Sequence, residues 1–342
     1  MKKLEAKYEG KVLGLGEVML RLTPPSYEKI IQANSFSATY AGGEANVICS
    51  LSMFGHDTKF VTKLPDNKLG EKVIKDLRSF GVDTKDIITG EGRLGIYFLE
   101  QGMGLRNTDV IYDRKYSAIS MAKEDEFDID KILEDVKLLH ISGINPALSD
   151  DLKNTTLKLV KECKKRNIIV SYDSNFRAKL WSLEDARQFM LEILPYVDIA
   201  FLGILDFKNI LLYDIPTESF EENLKILYTK LFEKYPNLKF ASSTRRKVNS
   251  VNNNSLNGYL CDGENVNKSK EYTLDILDRV GGGDSFTAGI LHGLINQMTC
   301  EETEEFATCA RVLKHSISGD MNLVSKKDVY TLMMSGVENI NR

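Results

Sequence analysis

Short apolar runs alternate with longer amphipathic segments through most of this chain, and no other feature constrains its fold as strongly. Runs at 12–15, 59–62, 138–141, 168–172, 199–202 and 238–242 have the length and composition of buried strands. Helical periodicity marks 46–54, 69–80, 150–166, 183–194 and 220–234, and then 285–295, 301–315 and 325–334 after the last strand. In the segment 150–166, Leu152, Thr155, Leu159 and Cys163 share one face, while Lys158, Lys161, Lys164 and Lys165 fall elsewhere. Ser149 stands where it can cap the first turn. This rhythm predicts an α/β fold with a mostly parallel sheet covered on both faces. Ligands of such sheets gather beyond the carboxyl ends of the strands, so polar residues just after strands carry the interest.

Two stretches, 18–40 and 95–120, break the rhythm. Within the second, 96–100 and 110–115 read as strands of a small separate sheet, joined through a bend at Gly102 and Gly104. The expectation is one domain over 1–342 carrying a β-structured lid, with lid segments at about 18–40 and 95–120. The asparagine-rich stretch 249–258 reads as a polar surface turn. Lysine and arginine number 45 against 49 acidic residues, a net charge of -4, which has the wrong sign for a general nucleic-acid binder or a polybasic membrane docker. No apolar run approaches the roughly 20 residues that span a bilayer. The opening MKKLEAKYEG lacks the apolar core of a secretory signal. The five cysteines are scattered and include no C-x-x-C pair, which suits reduced thiols. A cytoplasmic enzyme acting on a small molecule is expected, with no nucleic-acid or membrane partner.

The segment DRVGGGDSFTAGILHGL begins at Asp278. Three glycines, Gly281, Gly282 and Gly283, lead into Asp284 and a helical pattern with Phe286, Ile290, Leu291 and Leu294 on its apolar side. Glycines let the backbone approach a ligand, and the unpaired N–H groups of a helix start can cradle a phosphoryl group. A carboxylate beside such a cradle weakens anion binding but suits the deprotonation of an attacking hydroxyl. The plainer alternative is that Asp284 caps the helix.

DRVGGGDSFTAG resembles the carboxyl-terminal signature of the ribokinase/PfkB-type carbohydrate kinases. LGEVMLRLTPP (15–25), YAGGEANVICSLSMFG (40–55) and LPDNKLGEKVIKDLRSFGVDT (64–84) resemble that family's earlier blocks in the same order. LGIYFLE, VIYDRKYSA, DSNFRAKLWS and LKHSISGD look most like its 2-keto-3-deoxygluconate kinases. The resemblance implies a ribokinase-like three-layer sandwich with a small β-sheet lid, and ATP-dependent phosphorylation of the 6-hydroxyl of 2-keto-3-deoxygluconate with Mg2+. It implies that Asp284 is the base and that Gly281, Gly282 and Gly283 form the anion hole.

Strand alternation would project Tyr112 and Arg114 together from the lid, with Ile111 and Asp113 opposite, and Asp173, Asn175 and Arg177 alternate just past another strand. Paired guanidinium groups suit a sugar acid better than a neutral hexose. By resemblance, Tyr97, Tyr112, Arg114 and Arg177 contact the sugar acid, Gly42 and Asn46 belong to the amino-terminal sugar motif, and Thr244 and Arg246 lie beside the ATP phosphates. His315 near the adenine end is as compatible with packing as with binding, and Arg279, unusual in the signature, is expected to face away. At 203–207 the chain reads Gly-Ile-Leu-Asp-Phe where the family carries a polar run tied to magnesium, with Asp206 as a partial substitute; no metal ligand is assigned. Relatives often pair through their lids, so a homodimer is expected. Alternatives are another PfkB-type kinase such as a fructokinase, a weakened sugar- or nucleotide-binding relative, and a nicotinamide dehydrogenase suggested by Gly14 and Gly16, which lacks the third glycine of that fingerprint.

Overall fold

A computed structural model describes Leu4 and residues 9–335; most of the basic opening decapeptide lies outside the described residues. The strands are β1 (Lys11–Leu15), β2 (Met19–Thr23), β3 (Ser37–Ala41), β4 (Thr58–Val61), β5 (Lys63–Pro65), β6 (Ile88–Gly90), β7 (Gly95–Glu100) and β8 (Asp109–Asp113). They continue as β9 (Val136–Ser142), β10 (Ile169–Asp173), β11 (Ile199–Phe201), β12 (Phe240–Val248), β13 (Asn253–Cys261), β14 (Val266–Lys268) and β15 (Tyr272–Asp275). The helices are α1 (Gly43–Met53), α2 (Lys68–Ser79), α3 (Ile129–Ile132), α4 (Asp150–Lys165), α5 (Leu183–Ile193), α6 (Ile204–Asn209), α7 (Phe220–Lys234), α8 (Gly282–Ile295), α9 (Cys300–Lys314) and α10 (Lys326–Ser335).

The central sheet runs β14-β13-β12-β11-β10-β9-β1-β4, with β15 also pairing β13. From β12 to β4 every pairing is parallel, and β13 adds an antiparallel edge. Consecutive strand residues enter opposite layers, as period 2 demands. Leu139, Val170, Ala200 and Ala241 pack with α4, α5 and α7, whereas Leu138, Ile169, Ile199 and Phe240 pack with α1, α8 and α9. Both faces are therefore apolar, which is why these strands read as unbroken hydrophobic runs. Each fully buried Leu, Ile or Val contributes about 1.5–3 kcal/mol. On α4, Leu152, Thr155, Leu159 and Cys163 are buried as their spacing predicts, and Ser149 accepts the Leu152 N–H at 3.3 Å. The architecture is the expected α/β sandwich.

A second sheet, β3-β2-β7-β8, is built from the two stretches that broke the rhythm. Its β2–β7 pairing is parallel and the others are antiparallel. The carboxyl ends of β1, β9 and β10 lead directly to Glu17, Ser142 and Asp173.

The stretch 249–258 is not simply a surface turn. It holds a short turn followed by β13, which pairs with β12, β14 and β15. Asn254 and Asn257 are buried there, and the Asn254 amide donates to the Ser250 carbonyl at 2.9 Å. Side-chain amides that find internal partners tolerate burial, and this hides a strand behind a polar sequence. No helix among the described residues is long and apolar enough to cross a membrane.

Candidate active site

Gly281 stands just before α8 in the left-handed region at φ +81°, and a Cβ there would lie 1.9 Å from the Asp320 carbonyl oxygen. A Cβ on Gly282 would meet the His315 ring at 2.3 Å, whereas the space beside Gly283 is open for 4 Å. The first two glycines thus let two segments of the protein pack, and the third presents bare backbone. The Gly282 N–H leans back to the Arg279 carbonyl at 3.4 Å. Among the described residues no hydrogen bond engages the N–H of Gly283 or Asp284, so the helix offers two donors and its positive dipole end to a ligand.

Asp284 does not cap its helix: α8 has no side-chain cap. Its carboxylate instead accepts the Asn46 amide at 2.6 Å. The other end of that amide faces the Gly42 N–H at 3.4 Å. Gly42 is required by close packing, since a Cβ would fall 1.8 Å from the Glu17 carbonyl oxygen. Removal from bulk water pushes the Asp284 carboxyl up to about 6, against the opposing pull of the Asn46 amide and the Arg177 charge. Burial and the charge of Asp284 together push Asp173 up to about 7. Burial likewise raises Glu44 to about 7, although the Ser142 hydroxyl donates to it.

On the second sheet and just beyond it, Tyr112 and Arg114 turn to the same half-buried face, and Ile111 and Asp113 are exposed opposite. The Arg114 guanidinium lies 5.4 Å from the centre of the Tyr112 ring, close enough for cation–π attraction. It pairs with Glu17, which is buried and also accepts the Ser117 hydroxyl at 2.7 Å. The Arg114 Nε is buried with no partner among the described residues. Across a cleft of about 960 Å3 stands exposed Arg177, with Tyr116, Met121 and Phe176 among the other walls. Lys179 closes part of this gap by donating to the Val110 carbonyl at 2.9 Å. Tyr97 differs from its expected role. Its hydroxyl is engaged by Asp320 and the residue is 5% exposed, so only its ring, 5.9 Å from that of Tyr112, borders the cleft side.

Half-buried Thr244 and exposed Arg246 lie on β12. Burial first, and then the Arg246 charge, lowers the pKa of both Arg279 and Arg311, the latter to about 10. The three arginines therefore share one neighbourhood. Arg279 does not face away; it donates to the Val251 carbonyl at 3.0 Å. Arg311 is 9% exposed with its Nε unpartnered among the described residues. Concentrated positive charge beside unengaged backbone N–H groups fits a polyphosphate.

Other expectations are corrected. Asp206 does not stand in for the missing polar run: one oxygen accepts the Gly203 N–H at 2.7 Å and the other the Ser174 hydroxyl at 2.6 Å. Gly14 and Gly16 make room for Ile48 and Glu44 of α1, which is incompatible with a dinucleotide approaching the backbone there. His315 is a packing residue, 2% exposed, with Nδ1 against the Asp278 carbonyl at 3.2 Å. Glu17, Glu44 and Lys179 lie inside the quoted motifs without being singled out there, and Arg311 lies in no motif. Only Glu17 and Glu44 had a usable signal, as acids at the end of a strand and the start of a helix.

The fold and this site define a carbohydrate kinase, and comparison agrees. The chain belongs to the pfkB family of carbohydrate kinases, whose profile matches residues 10–227. It is 30% identical over 332 residues to 2-dehydro-3-deoxygalactonokinase of Haloferax volcanii, covering 97% of this chain and 99% of that protein. The crystal structure of 2-dehydro-3-deoxygluconokinase from Thermotoga maritima matches with a TM-score of 0.92 and 38% identity, covering 95% of this chain and 99% of that one. A putative ribokinase II from E. coli, solved in complex with ATP and Mg2+, shares the fold at a TM-score of 0.80 and 18% identity over 95% of this chain and 99% of that one.

Proposed function

We propose that this kinase uses ATP to phosphorylate the 6-hydroxyl of 2-keto-3-deoxygluconate. The observation that carries the sugar-acid reading is the buried Arg114 Nε, a guanidinium edge without a protein partner in a cleft that also holds Arg177. Glu17 already offsets one positive charge, and a substrate carboxylate would answer the second guanidinium, Arg177, together with the remaining Arg114 N–H, which a neutral sugar would not. Tyr112 supports the arginine, and Gly42 and Asn46 fix the floor of the sugar site.

Asp284 takes the proton from the attacking hydroxyl. With its pKa near 6 it is a carboxylate at neutral pH, yet basic enough to accept a proton. Asn46 aims it. The N–H groups of Gly283 and Asp284 stabilise charge on the transferring phosphoryl, while Gly281 and Gly282 hold the turn that presents them. Thr244 and Arg246 flank the ATP phosphates, joined by Arg279 and Arg311. Mg2+ arriving with ATP offsets phosphate charge. The lid segments 18–40 and 95–120, carried on a single ribokinase-like domain, exclude water from the transfer. The same reading includes a homodimer formed through the lid, whose exposed Ile31, Leu105 and Ile111 suit contact with a second copy.

A coupled assay of the purified protein with 2-keto-3-deoxygluconate, its galactonate epimer and fructose tests the proposal. The expected result is highest kcat/KM for 2-keto-3-deoxygluconate. Preference for the epimer moves the substrate, preference for fructose removes the sugar-acid reading, and binding without product removes catalysis.

A further inference from the structure

Arg21 is the third residue of β2, in the lid, and is 2% exposed. A guanidinium so deeply buried is tolerated only with full pairing. Its Nε donates to the Thr23 hydroxyl at 2.7 Å, one arm binds Asp320, and the other binds Asp278 at 2.5 Å. Asp320 also accepts the hydroxyl of Tyr97, which stands in register with Arg21 on the adjacent strand β7. Two neighbouring lid strands therefore grip one carboxylate.

The two aspartates are also the residues that shape the glycine loop. Asp278 accepts the Val280 N–H at 3.1 Å through one oxygen and the Gly319 N–H at 3.0 Å through the other. The Asp320 carbonyl occupies the space that a side chain on Gly281 would need. Movement of β2 away from the body would thus pull on both walls of the loop that presents the Gly283 and Asp284 N–H groups. Other lid-to-body contacts, such as Gly104 N–H to Asn252 at 2.7 Å and the Arg114–Glu17 and Arg93–Asp113 ion pairs, make no hydrogen bond to Asp278, Asp320 or the glycine loop.

We propose that Arg21 is a positioning residue that joins lid closure and phosphate-loop geometry into one equilibrium, so that sugar and nucleotide each strengthen the binding of the other. The inference rests on the reading that the lid meets the sugar and the loop meets the nucleotide. Linkage requires the same coupling factor from either side.

Calorimetry tests it with the non-hydrolysable analogue AMP-PNP, titrated with and without saturating 2-keto-3-deoxygluconate. The unaltered protein should show tighter AMP-PNP binding in the presence of sugar by about tenfold, within the usual span of coupling factors. In Arg21→Gln the factor should fall to about one while unfolding stays cooperative; a folded Arg21→Gln with full coupling would show that the network is only structural. If that variant does not fold, Tyr97→Phe carries the test, because it removes one hydroxyl and leaves the ion pairs. A reduced factor supports the proposal, and an unchanged factor overturns it, as does the absence of coupling in the unaltered protein. Should the sugar acid fail to bind, the substrate reading falls, and hydrogen exchange still decides the inference. AMP-PNP alone should protect β2 and β7 amides in the unaltered protein and protect them less in Tyr97→Phe; equal protection refutes it.

Discussion

At the start of α8 the groups offered to a ligand are mainly backbone: two N–H donors, a bare glycine, and one carboxylate steered by an amide. In the cleft beside the second sheet they are side chains, and several already have partners. Arg114 is paired with Glu17, and the Tyr97 hydroxyl is held by Asp320. The loop is thus pre-formed by backbone geometry, whereas the cleft is pre-organised by buried charges. Backbone presentation costs little to maintain and serves any phosphoryl donor. Charge presentation depends on partners that must stay in place, and on the proposed function it is there that one substrate would be told from another.

The sharpest way to break this contrast is Asp284→Asn, which keeps the loop but removes the base. Turnover should fall by about 10²–10⁴-fold, as loss of a general base does, with AMP-PNP binding retained in calorimetry. Substantial remaining turnover would mean that the loop alone carries the chemistry. Next come the two arginines. Arg177→Gln and Arg114→Gln should each raise KM for the sugar acid by about tenfold to a hundredfold, the range for losing a hydrogen bond to a charged group. Only Arg114→Gln should also lower Tm, because it leaves Glu17 buried without its partner. Equal Tm values would show that the two sides of the cleft are not built differently.

Gly281→Ala should cost about 2 kcal/mol of stability from its left-handed backbone, plus the clash with Asp320, whereas Gly283→Ala should be tolerated in denaturant melts. A stable Gly281→Ala would remove the packing role given to that residue. The mildest effect is on pH. Protonation of Asp284 disables the base, so kcat/KM should decline as pH falls through about 6, by about tenfold per unit below it. A profile flat to pH 5 would contradict the raised pKa.

Much of this is legible in the sequence. The parallel strands announced themselves because both of their faces are buried, and α4 because its apolar stripe and Ser149 cap agree. The glycine run and Asp284 stood out as an unusual grouping, and strand alternation put Tyr112 and Arg114 on one face. What stayed hidden was pairing across long separations. Arg21 and Asp320 are 299 positions apart, and Arg114 and Glu17 are 97 apart. No periodicity connects such residues. The strand β13 is hidden for a related reason: its polar residues meet partners, such as Asp275 for the Asn253 amide at 2.7 Å, that only the folded sheet supplies.

By itself the sequence determined the layered α/β architecture and the glycine turn that leads into α8, because both arise from local backbone preferences and short-range spacing. The tertiary structure alone decided that Asp284 faces Asn46 instead of capping its helix, and that Tyr97 is bound to Asp320. It also decided that Asp206 is engaged within the protein and that Arg21 ties the lid to the loop. Those outcomes depend on which charges meet when distant segments pack, and burial makes each meeting all or nothing.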